Sequence, residues 1–144
     1  MIATLALGSL LIAATVLIQT AGLMLLSRTV TLIARAFRLH RHTAGKMLAM
    51  ITIVLGIFFI HTVEIWLWAI VFDAVGAVSG FENALYFSTV TFSTVGYGDL
   101  TAHDDWRMFA ALEAMDGFIL IGWSIAYLIA ASTRHGPFRI GEHF

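Results

Sequence analysis

The run Thr94-Val95-Gly96-Tyr97-Gly98-Asp99 is the stretch best suited to chemistry, and that chemistry is cation coordination. A cation stripped of water needs several oxygen ligands at once, and backbone carbonyls supply them without adding net charge. Successive carbonyls point the same way only if the backbone enters conformations that most L-residues resist; Gly96 and Gly98 permit them. The Thr94 hydroxyl can add a ligand at the inner end, so Thr94, Val95, Gly96 and Tyr97 are the candidate coordinating residues. The side chains of Val95 and Tyr97 would then face away from the ion and pack the loop. Asp99 stands at the outer mouth, where it can bind backbone donors and attract cations.

Other ionisable residues fall in apolar surroundings. His61 and Glu64 are three apart, as are Glu113 and Asp116, which places each pair on one face of a helix. Ionisable groups inside a membrane are costly and point to function. One reading makes the four a pH-sensitive cluster behind the coordinating loop; a second turns Asp116 toward an ion cavity. The plain reading is hydrogen bonding among helices near the outer interface. His61-Thr62-Val63-Glu64 lacks the second histidine of a zinc-protease helix. With no cysteine, thiolate chemistry is excluded, and no nucleophile and base pair up, so an enzyme is not expected. No cofactor is implied.

The elements that must position the loop are membrane spans. Of the 144 residues, 60% are hydrophobic and 12% charged, against roughly 25% charged in a soluble domain. Net charge is −1, which argues against a nucleic-acid partner. Three stretches reach the roughly 20 apolar residues a spanning helix needs, at about 3–27, 47–72 and 107–133. Residues 1–27 form an N-terminal spanning helix, read as uncleaved because it has no basic leading segment. The linker 28–46 holds Arg28, Arg35, Arg38, Arg41 and Lys46 and no acid, which places it in the cytoplasm. The N-terminus is then outside, the acid-rich segment after 72 is outside, and the tail 134–144 is cytoplasmic. Arg35, Arg38 and Arg41 have the three-residue spacing of voltage-sensing helices, but in a short linker they read as a basic cuff on anionic lipid. Trp66 and Trp68 fit the outer aromatic belt.

Between the second and third spans, residues 81–92 suit a short helix. Ser79-Gly80-Phe81-Glu82 has the spacing of a capping box, with Ser79 as cap. A helix this short crosses only part of a bilayer, so it and the loop 94–99 are re-entrant. Backbone of that kind survives at membrane depth only when covered by protein or lining a cavity. One three-helix chain cannot cover it, which implies an oligomer. The fold class is all-α: three transmembrane helices plus a re-entrant pore helix and loop.

From about His61 to Thr133 the sequence resembles the pore module of potassium channels with two transmembrane helices per repeat, especially small bacterial members. The hexapeptide 94–99 matches that family's selectivity filter. The resemblance implies a pore domain over 47–133 and a homotetramer, with K+ as permeant ligand and the third span lining the cavity. It implies residence in the cell (inner) membrane. The pore helix would aim its negative end at a cation in the cavity. Gly117 and Gly122 fall where relatives carry a hinge glycine and a second small residue; either can mark a bend or a close helix contact. Many relatives brace the filter tyrosine with a tryptophan pair, and here Tyr86 and Phe87 stand there. Val90 replaces a glutamate found in some bacterial channels. The alternatives are a weakly selective monovalent cation channel, whose relatives usually alter the filter tyrosine, and a subunit of a potassium uptake transporter, whose relatives carry four repeats in one chain. The 11 residues after Thr133 are too few for a folded ligand-binding domain, so the gating stimulus is not readable.

Overall fold

The computed structural model describes residues 2–36 and 43–135. Helix α1 spans Ile2–Ala36, α2 Thr43–Ala74, α3 Phe81–Phe92 and α4 Arg107–His135, with a single 3-10 turn at Asp104–Trp106 leading into α4. Every regular element among the described residues is a helix, with no strand. Among the described residues, three helices are long and apolar enough to cross a membrane, over Ile2–Ile33, Ala44–Ala74 and Asp104–Arg134. The chain is a multi-pass membrane protein.

The helices overrun the boundaries set by charge. Residues 28–36 of the expected linker continue α1, and 43–46 already belong to α2. Charge marks where a helix reaches the headgroups, and a long basic side chain can stay on the helix while its head reaches water. Arg38, Arg41, Gly136, Pro137 and Arg139 lie outside the described residues, as does the side chain of Arg35.

Contacts divide the chain into two compact units. The first joins Met1–Gln19 to His61–Ile121 and contains the candidate loop. Its core is aromatic: Trp68 and Phe109 have ring centroids 5.0 Å apart, and Phe72 lies 5.1 Å from both Phe87 and Phe109. Tilted and edge-on pairs of this kind contribute about 0.5–1.5 kcal/mol each beyond burial. Trp68 is fully buried, so it belongs to this core and not to an interfacial belt. Trp66 is half exposed and meets Phe81 edge-on at 5.8 Å. The second unit joins Thr20–Ile60 to Gly122–Phe144. There Gly22 abuts Ile60 and Gly56 abuts Leu26, small residues that let helices approach closely in lipid. Ser27 Oγ and Tyr127 Oη share a 2.9 Å hydrogen bond.

Two glycines set up the re-entrant helix. Gly76, at φ 71°, ends α2: its N–H donates to Asp73 O, and the Ala77 N–H reaches back to Phe72 O. That pair closes the helix end by satisfying carbonyls left without helical partners. Gly80, at φ 88°, is the N-cap of α3, with no side-chain cap. The expected Ser79 cap is therefore displaced: the left-handed Gly80 starts the helix one residue later than the box spacing requires. Asn83 Nδ2 instead donates to Ser79 O at 3.0 Å.

Candidate ion-coordinating site

Helix α3 delivers the chain to the loop, and the turn after it is held by its own last carbonyls. The N–H groups of Val95 and Gly96 both donate to Val90 O, at 3.1 and 3.2 Å, and Thr94 N donates to Thr91 O. Val90 therefore acts through its backbone, which a sequence comparison of side chains does not register. With these N–H groups turned back on α3, the carbonyls of Thr94, Val95, Gly96 and Tyr97 accept no hydrogen bond among the described residues.

The backbone alternates. Thr94, Gly96 and Gly98 have φ of 60°, 58° and 75°, and the residues between them do not share this conformation. Positive φ thus recurs at every second residue of the loop. Glycine takes this conformation at no steric cost, whereas Thr94 is the only non-glycine residue with positive φ among those described. The glycines were legible as backbone devices; the strain at Thr94 was not.

Asp99 anchors the C-terminal end of the loop. Tyr86 Oη donates to Asp99 Oδ2 at 2.7 Å, and Leu100 N donates to Asp99 Oδ1 at 3.1 Å. The hydrogen bond to Asp99 raises the Tyr86 phenol above its ordinary value. Tyr86 thus ties the pore helix to the loop within one chain, while Phe87 is buried against Phe72. Val95 and Tyr97 remain 53% and 72% exposed, an edge that nothing among the described residues covers.

The four ionisable residues behind the loop separate into three hydrogen-bonded pairings. His61 Nδ1 meets Glu64 Oε2 at 2.8 Å. Glu113 Oε1 meets Ser88 Oγ of α3, which also lies 3.0 Å from Ile65 O. Asp116 Oδ2 accepts from Thr15 Oγ1 at 2.7 Å and from Trp68 Nε1 at 3.1 Å. Asp116, which one of the alternative readings turns toward an ion cavity, is 3% exposed and hydrogen-bonded to α1 and α2. Among the described residues, no acid–histidine group has a metal-binding arrangement. Thr15 and Gln19 of α1 escaped the sequence reading; Gln19 Nε2 donates to Leu120 O at 3.2 Å. Their four-residue spacing within an apolar run was the available signal.

Gly117 is a contact glycine. A Cβ there would overlap the backbone carbonyl of Phe92, the last residue of α3. Helix α4 runs through it from Arg107 to His135. Gly122 has open space where its side chain would be.

A family model described as an ion channel matches residues 59–134, more than half of the chain. No curated protein and no solved structure matches it. The matched region takes in the second half of the second spanning helix, the short helix, the loop and the third span, and the chain belongs to this ion channel family.

Proposed function

We propose that the protein is a subunit of a potassium-selective channel, in which four copies place the 94–99 loops around one axis. The observation that carries the reading is the set of four consecutive carbonyls, Thr94 to Tyr97, without donors among the described residues, on a backbone with positive φ at every second position. A dehydrated K+ takes such oxygens in place of its water shell. One loop gives only one side of a cage, and a ring of four closes it. The same ring covers the loop's unpaired backbone carbonyls, whose exposure in a single chain is costly at membrane depth.

The intact Tyr97 supports potassium over mixed cations, and Asp99 supplies negative charge at the outer mouth. The basic 28–46 segment supports a cytoplasmic linker in the cell membrane of a prokaryote, with the N-terminus outside. Anionic lipid is the proposed partner of Arg35, Arg38 and Arg41. Proteoliposomes loaded with potassium test the reading. Tracer rubidium uptake driven by the outward potassium gradient is expected, with little uptake when sodium replaces potassium. Equal uptake in both would favour a weakly selective cation channel. Cross-linking in the same vesicles should stop at the tetramer.

A further inference from the structure

Glu113 is fully buried on α4, and its hydrogen bonds close only in one protonation state. Its Oε1 meets Ser88 Oγ, and Ser88 Oγ also lies 3.0 Å from the carbonyl of Ile65. A serine hydroxyl has one hydrogen to give. If Glu113 were a carboxylate, Ser88 would face two acceptors, and one contact would set lone pair against lone pair. If Glu113 carries a proton, it donates to Ser88 and Ser88 donates to Ile65, and both contacts are hydrogen bonds. The second Glu113 oxygen, Oε2, supports this independently, because it is buried with no hydrogen-bond partner among the described residues. An ionised oxygen left so is among the costliest arrangements in a protein interior, whereas the carbonyl oxygen of a neutral acid is far cheaper.

The groups around it offer no compensating charge. Asp116, one turn along α4, is itself an acid and is served by Thr15 and Trp68. On α2, His61 is engaged with Glu64. Among the described residues Glu113 takes part in no ion pair; the pairs are His61–Glu64 and Arg107–Asp104.

We infer that Glu113 is a proton-binding site: a neutral carboxylic acid whose proton fastens α4 to the loop-bearing helix α3 through Ser88. The register of the two helices gives the fastening its reach. Glu113 and Gly117 are one turn apart on α4, and they meet Ser88 and Phe92, one turn apart on α3. Phe92 leads directly into the loop. Glu113 is thus a positioning residue, acting on the coordinating carbonyls through α3. The proton count holds whichever cation passes; the effect on conduction rests on the channel reading above.

Infrared difference spectroscopy of the full-length protein in lipid tests it. Wild type is expected to show a protonated-carboxyl carbonyl stretch at neutral pH that is lost in Glu113→Gln and retained in Glu64→Gln and Asp116→Asn. Ser88→Ala, which removes the acceptor, should shift that band to higher frequency without abolishing it. Glu113→Gln keeps an N–H donor and should retain wild-type rubidium flux, whereas Glu113→Leu should lower it. Absence of the band in wild type, or an unmoved band in Ser88→Ala, would overturn the inference even if Glu113→Gln failed to fold. Lost sodium–potassium discrimination in wild type would overturn the potassium reading and leave the proton untouched.

Discussion

The backbone of Gly117 on α4 rests on the carbonyl of Phe92 at the end of α3, with no room for a Cβ between them. Because the obstacle is backbone, it cannot swing aside. Gly117→Ala is therefore expected to destabilise the folded protein by about 1–3 kcal/mol, the usual penalty of overpacking. Gly8→Ala meets only the flexible tip of Leu112 and should cost less. Thermal unfolding in detergent measures both; equal melting points for the two variants would argue against the contact.

The bond between Tyr86 and Asp99 makes a pH prediction. Below about pH 10 the phenol is protonated in the folded and unfolded protein alike, and the bond is intact. As pH rises through the raised folded value, the proton and the bond are lost, and with them their stabilisation of the loop. Ion flux should hold steady through neutral pH and fall in the alkaline range. Tyr86→Phe should reduce flux at neutral pH and flatten the alkaline fall. An alkaline fall unchanged in that variant would assign it to another group.

The N-terminal helix is joined to α4 by Thr15 and Asp116. Interhelical hydrogen bonds in membranes are worth about 0.6 kcal/mol on average and up to about 1.7. A double-mutant cycle of Thr15→Val and Asp116→Asn should give a coupling in that range. Strict additivity of the two variants would contradict the shared bond.

Sequence made the spans and the loop legible because both are local: hydropathy accumulates along a helix, and Gly96 and Gly98 act on their own backbone. The rotational phase of the helices was not legible. Trp66 and Trp68 look alike as belt residues, yet Trp68 sits in the core and donates to Asp116. The partners of the buried acids lie far off in sequence, with Thr15 101 positions from Asp116 and Ser88 25 from Glu113. Gly117 likewise reads as a hinge or a contact until Phe92 is beside it. The helix start at Gly80 depended on a positive φ that Ser79 and Glu82 do not signal.

Gly96→Ala tests the loop itself. A side chain at φ 58° costs about 1–2 kcal/mol per copy. Since 1.4 kcal/mol is a factor of ten, flux should fall by at least about tenfold while membrane insertion is unchanged. Normal flux in this variant would mean that the alternating backbone is not what conducts.

The most direct measurement is the reversal potential of the reconstituted protein in a planar bilayer, with potassium on one side and sodium on the other. A value displaced far toward the potassium equilibrium potential is expected if the Thr94–Tyr97 carbonyls replace the water shell of K+ as proposed. A reversal potential near zero would contradict it.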